Sequence, residues 1–213
     1  NRLVRTTNAL AQATAFDYDL NGNRTEVTDA LNHKTKFKFD KLNRLIKIRD
    51  AEGNTTKQGY DKVGNLAFRR DPNRHVVHFC YDGVNRLIKV AQLLDEDVHD
   101  DEHDECVASQ EGPVTLYTYD AVGNRTKITD ANLHDTLFAY DALNRLMDMT
   151  DPLFRVTHFS YDEVGNLKTK TDPNSQMLTF TYDLANRLTK VTFPDSSTRD
   201  IAYVDVGNRL TLT

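Results

Sequence analysis

The sequence contains no tryptophan, and only two cysteines, five prolines and nine glycines in 213 residues. Two cysteines are too few for a disulfide framework. Cys80 and Cys106 also lack CxxC or paired Cys/His spacing, which excludes a structural zinc module. No run approaches the 18 apolar residues of a membrane helix, and no basic stretch followed by an apolar one opens the chain as a signal peptide would. No GxSxG, HExxH, Walker or dinucleotide fingerprint is present, so the common nucleophile, zinc-protease and nucleotide chemistries have no foothold and no cofactor is expected. Neither half carries the concentrated Lys/Arg stripe that phosphate neutralisation requires, which argues against nucleic acid as a partner.

Hydrophobic residues make up 38%, charged residues 28%, and the net charge is −5. This is the composition of a polar globular chain, long enough for one large domain or two small ones. The acidity is local. Residues Leu93 to Gly112 hold nine Asp and Glu and no Lys or Arg, and without them 23 acidic residues stand against 27 basic ones, a net +4.

One motif recurs along the chain. YDLNGNR, FDKLNRL, YDKVGNL, YDGVNRL, YDAVGNR, YDALNRL, YDEVGNL, YDLANRL and YVDVGNR begin at Tyr18, Phe39, Tyr60, Tyr81, Tyr119, Tyr140, Tyr161, Tyr182 and Tyr203. Every step is 21 residues except Tyr81 to Tyr119, which is 38, and the 17 extra residues fall in the acidic stretch. Residues 93–112 are therefore read as an acidic loop inserted into one repeat. Both ends of the chain cut through the array, which reads as a single 1–213 unit excised from a longer polypeptide.

Each repeat reads as a β-hairpin. Before the anchor aromatic, polar and apolar residues alternate, as in Thr35-Phe37-Phe39 and Thr157-Phe159-Tyr161, which puts rings and β-branched side chains on one face to be buried. Asp follows the anchor at Asp19, Asp40, Asp61, Asp82, Asp120, Asp141, Asp162 and Asp183, and four residues past every anchor stands Gly or Asn. A carboxylate that accepts nearby backbone amides and a residue that tolerates positive φ together make a tight turn. Asp-Pro or Asp-Ala pairs eleven residues past the anchor, such as Asp151-Pro152, mark the return turn. The turns alternate: Gly22, Gly64, Gly123, Gly165 and Gly207 precede Asn in odd copies, while even copies carry Asn-Arg, so the period is 42. Duplication of a two-hairpin ancestor accounts for that alternation; the sequence offers no physical cause.

YDxxGN and YDxxNRL at 21-residue spacing, with an intervening DP or DA, resemble the YD (Rhs) repeat family. The resemblance implies an all-β fold of tandem 21-residue hairpins, an antiparallel sheet curled into part of a hollow shell. Related shells enclose a C-terminal toxin domain in bacterial Rhs toxins and insecticidal toxin complexes, and a similar shell belongs to teneurins, which are adhesion proteins. It implies a secreted or cell-surface wall segment whose partners are the rest of its shell and the enclosed toxin, with a recognition module for carbohydrate or protein as the alternative. Physics favours curling, because about 18 strands at about 4.8 Å would span on the order of 85 Å. A β-propeller with 42-residue, four-stranded blades is the rival fold.

Carboxylates repeated at one turn position do a local backbone job, whereas an active site is singular, so no catalytic residue is expected. In the insertion, His99 and His103 at i, i+4 with Asp100 and Glu102 are candidate ligands for a divalent metal if that stretch is helical, against a solvated loop. Cys80, on the small-residue face, is expected as a buried free thiol, with a bridge to Cys106 as the alternative. Unpaired end strands are expected to promote self-association.

Overall fold

The computed structural model describes residues 2–94, 112–203 and the backbone of 209–210. The chain divides into two compact units, residues 1–115 and 116–213. The first holds β1 (Arg5–Thr7), β2 (Ala13–Tyr18), β3 (Arg24–Thr28), β4 (Lys34–Phe39), β5 (Leu45–Arg49), β6 (Thr55–Tyr60), β7 (Leu66–Arg70), β8 (His75–Tyr81) and β9 (Leu87–Leu94). The second holds β10 (Val114–Tyr119), β11 (Arg125–Thr129), β12 (Asp135–Tyr140), β13 (Leu146–Thr150), β14 (Val156–Tyr161), β15 (Leu167–Thr171), β16 (Met177–Tyr182), β17 (Leu188–Thr192), β18 (Thr198–Asp200), β19 (Ala202–Tyr203) and β20 (Arg209–Leu210). There is no helix among the described residues.

Within each unit, strands follow one another as an antiparallel meander, from β1 to β9 and from β10 to β18, with β19 and β20 as a separate hairpin. Pairing is as continuous between hairpins (β3 with β4, β5 with β6) as within them. Propeller blades would interrupt it every fourth strand, so the propeller is excluded. The fold is all-β and built of tandem hairpins.

Eight of the nine anchors, Tyr18 through Tyr182, sit at a β-bulge. The register shifts between Asp17 and Tyr18, between Ser160 and Tyr161, and at the equivalent step of the other long hairpins, so that Tyr18 opposes Arg24 and Tyr161 opposes Leu167. The bulge leaves the carbonyl opposite the anchor available, and the next repeat uses it, as described below.

The anchors and the aromatics two residues before them share a face, as the alternation predicts, but that face is only half-buried. The buried side chains of the first unit, Phe68, Val76, Cys80 and Ala91, lie on the opposite face of β7–β9. Elsewhere the ring-bearing face is the more buried of the two, as in β2, β4, β10 and β12, and Thr157 of β14 is buried on it; the departure is confined to β7–β9. Cys80 is disulfide-bonded, not a free thiol; Cys106, the only other cysteine in the sequence, lies outside the described residues.

Return turns and motif turns share one geometry. In both, the amide of the first residue donates to the carbonyl four residues on, and the fourth residue has positive φ. At the return turns that position is filled by Asn32 and Gly53 but also by Leu133 (φ 64°) and Phe154 (φ 61°). A side chain in the left-handed region costs roughly 1–2 kcal/mol. Both are more than four-fifths exposed, so no packing compensates. Phe154→Gly and Leu133→Asn are each expected to stabilise the second unit by about 1 kcal/mol, read as a higher urea midpoint; an unchanged or lower midpoint refutes the strain.

Candidate functional site: the turn and anchor network

The turn aspartates are fully engaged. Asp61 Oδ1 accepts the amides of Val63, Gly64 and Asn65 at 3.0, 2.7 and 2.7 Å, and Oδ2 accepts Asn65 Nδ2 at 2.9 Å. In even copies the fifth turn residue is Arg, and Asp141 Oδ1 accepts the amides of Leu143 and Arg145 while Oδ2 accepts Arg145 Nε at 2.7 Å. The amide of Arg145, then its guanidinium, hold the Asp141 carboxyl below its ordinary value, and partial desolvation opposes them. Asp19, Asp40, Asp82, Asp120, Asp162 and Asp183 occupy equivalent positions with lowered pKa values.

The anchors reach backwards. Tyr161 Oη donates to the carbonyl of Leu146 at 3.0 Å, and Tyr18, Tyr60, Tyr81, Tyr140, Tyr182 and Tyr203 make the same bond to the residue fifteen positions earlier. From Tyr60 onward that residue opposes the preceding anchor at its bulge, so these tyrosines close the carbonyl the predecessor left open. Phe39 lacks the hydroxyl.

Two contacts explain the 42-residue alternation. The odd-copy Asn23 donates from Nδ2 to Oδ1 of the even-copy Asn43 at 2.7 Å, and Asn65 to Asn85, Asn124 to Asn144 and Asn166 to Asn186 repeat the bond at 2.9 Å. From three of the four even copies, arginine then lies over the ring of the next odd anchor: Arg44 is 4.5 Å from the Tyr60 centroid, Arg145 4.7 Å from Tyr161 and Arg187 4.6 Å from Tyr203. In an array of identical Gly-Asn turns the residue facing each asparagine would be glycine, with no side-chain acceptor. Gly22, Gly64, Gly123 and Gly165 take the positive-φ position of the odd turns without a side chain. At Gly22 a Cβ would stand 2.7 Å from the Arg2 guanidinium, so the absent side chain leaves room for the arginine of the preceding repeat.

Sequence reading missed these arginines and asparagines as linking residues; the alternation was the signal for them. Gly207 and the candidate metal ligands His99, Asp100, Glu102 and His103 lie outside the described residues, as does most of the insertion expected as an acidic loop. Among the described residues no group of three or more His, Cys, Asp or Glu is arranged to hold a metal ion. A shallow groove between the Asp162 and Asp183 turns, floored by Phe180 and Tyr182, has as its carboxylates only those two turn caps.

The Rhs-repeat family model matches residues 140–174 and 161–198, and the teneurin YD-shell model matches residues 1–100. The chain carries YD/Rhs-type repeats over the residues that these models match. Solved structures of Tc toxin components are also similar to it. The TcdB2-TccC3-Cdc42 crystal structure shares 15% identity at a TM-score of 0.41, over 97% of this chain and 14% of that one. TcdB2-TccC3-TEV shares 15% at 0.42, over 99% and 15%. The Photorhabdus luminescens Tc holotoxin pore with the TccC3 D651A mutation shares 16% at 0.41, over 96% and 14%. The YD array thus spans about a seventh of the length of these chains. No curated protein sequence matches it.

Proposed function

We propose that this YD array is a wall segment of a shell that encloses a toxin domain, acting by encapsulation and not by catalysis, at a secreted or cell-surface location. The observation that carries this reading is the edge formed by the motif turns. Each turn tip projects one aliphatic residue, among them Leu20, Leu42, Val63, Leu143, Val164 and Leu184, all about 70% exposed or more. A row of apolar tips recurring with every repeat is costly in water and is relieved when further wall is laid along it. The turn aspartates and anchors would then be structural residues of the wall, and its partners the adjoining repeats and the enclosed domain.

Limited proteolysis of the natural polypeptide containing the array tests this. Encapsulation expects a domain that resists protease while the wall is folded and is digested once acid opens it. A polypeptide whose other domains are all cleaved at native pH refutes enclosure. The teneurin YD-shell match over residues 1–100 favours a second reading, an adhesion module presenting its turns to a glycan or protein. Saturable capture on a glycan array by the folded chain, lost on substitution of turn-tip residues, would support that reading.

A further inference from the structure

Three Asn-x-Thr triplets occur in the sequence, at Asn23-Arg24-Thr25, Asn54-Thr55-Thr56 and Asn124-Arg125-Thr126. Such a triplet is the acceptor motif for N-linked glycans on surface turns of secreted proteins. All three asparagines hold the same place, the fifth residue of a capped turn. Each donates from Nδ2 to Oδ2 of its own turn aspartate, Asn23 to Asp19 at 2.9 Å, Asn54 to Asp50 at 2.8 Å and Asn124 to Asp120 at 2.9 Å. The second amide proton separates them. Asn23 gives it to Asn43 Oδ1 at 2.7 Å and Asn124 gives it to Asn144 Oδ1 at 2.9 Å, so at both motif turns the side-chain amide has no proton to spare. Asn54 stands in the return turn between β5 and β6, is exposed, and makes only the first bond among the described residues.

An asparagine side chain has two amide protons, and a glycosylated one keeps a single proton. We propose that Asn54 is an N-glycan acceptor site, the one of the three triplets at which the folded array can carry a sugar. Transfer joins Asn54 Nδ2 to the anomeric carbon of a lipid-linked oligosaccharide; the bond from that carbon to the lipid pyrophosphate breaks, the pyrophosphate leaves, and one amide proton is lost. The product keeps its turn. Nδ2 retains an N–H for Asp50 Oδ2, and the main-chain amide of Asn54 still donates to Asp50 Oδ1 at 2.8 Å. At Asn23 or Asn124 the sugar would instead displace the bond that ties an odd turn to the next even one, beside a half-buried side chain.

Thr56, the third residue of the triplet, is half-buried in β6 opposite Ile48. Transfer therefore precedes the pairing of that strand, and folding then decides which products persist. The surroundings of Asn54 suit a glycan. Its turn projects no large apolar side chain, whereas the motif turns on the opposite edge of the first unit project Leu20, Leu42 and Val63. A hydrated sugar here keeps the return-turn edge in water and leaves the motif edge to be covered by further wall. The site rests on the secreted or cell-surface location proposed above.

The test is secretion of the full chain behind a cleavable leader from a glycosylating eukaryotic cell, with occupancy read peptide by peptide by mass spectrometry. The folded secreted chain should carry a glycan on Asn54 and none on Asn23 or Asn124; chains modified at those two should be found only in the retained fraction. Thr56→Val removes the triplet while leaving Asn54 and its bonds in place, and should be secreted with Asn54 bare. Thr56→Ser should keep the glycan. The host supplies the route, so an unoccupied Asn54 counts against the site and leaves the location of the natural polypeptide standing. A native secreted chain with Asn54 bare, a glycan on Asn23 or Asn124 in the folded secreted chain, or a Thr56→Val chain still modified at Asn54 would each overturn the proposal.

Discussion

Gly59→Ala is expected to destabilise the first unit by about 2–3 kcal/mol, the upper part of the range for overpacking a site that cannot give. Intrinsic preference points the other way, since glycine inside a strand costs roughly 0.5–1 kcal/mol relative to alanine. Packing reverses the sign. A Cβ at Gly59 would lie 2.0 Å from Cε1 of Phe68 and under 3.0 Å from two more atoms of the same ring. Phe68 is the direct cross-strand partner of Gly59 and is 7% exposed, so its ring lies across the bare glycine and cannot swing away without exposing itself. In Gly59→Ala/Phe68→Ala the two costs should sum to less than additivity, because the clash has been removed. Gly83→Ala is the control: nothing stands within 4 Å of its Cβ, and it should change stability by no more than about 0.5 kcal/mol. Urea denaturation followed by circular dichroism reads all three. A Gly59→Ala midpoint at or above that of the native chain would falsify the packing account.

Acid should dismantle the array in a narrow window. The turn carboxyls of Asp82, Asp141 and Asp183 are held below their usual 3.8, first by the backbone amide of the arginine four residues on and then by its side chain, with desolvation opposing. At the return turns Asp151 is lowered first by the Arg155 side chain, and Asp71 first by the His75 side chain. A carboxyl with a depressed folded-state pKa contributes stability that is fully present above its unfolded value and is lost as pH falls through its folded value. The turns are therefore at full strength above about pH 5 and weaken together below 3.8. Protonation converts each cap from an acceptor of several amides into a hydroxyl that competes with them, and every hairpin is affected at once. Carboxyl carbon shifts followed by NMR should give titration midpoints below 3.8 for these residues, with strand signal in the far ultraviolet falling over the same range. Unchanged strand signal at pH 2, or midpoints above 3.8, would contradict the capping role.

The hairpins and both kinds of turn were legible in the sequence because their causes are local. Asp61 caps residues two to four positions away, Gly64 meets a backbone requirement of its own turn, and Thr157-Phe159-Tyr161 share a face through the strand period alone. What escaped was non-local. The bulge at each anchor, the bond from Tyr161 to the Leu146 carbonyl and the stacking of Arg145 on Tyr161 depend on how one hairpin lies against the next. The departure at β7–β9 escaped for the same reason: alternation shows that two faces differ, not which one becomes covered in a given hairpin. Phe68 and Val76 are buried on the other.

The amino-acid order by itself determined that the chain is all-β, that its unit is 21 residues and its period 42, and where it turns, since a capped turn is decided within five residues. Tertiary structure decided which residues separated by fifteen to twenty positions would meet. It supplied the reason for the period, an asparagine donor in one turn facing an asparagine acceptor in the next. It also gathered Lys36, Lys38, Lys47 and Arg49, unremarkable when read in line, onto one face. Register between strands sets those neighbours, and register is a property of the sheet.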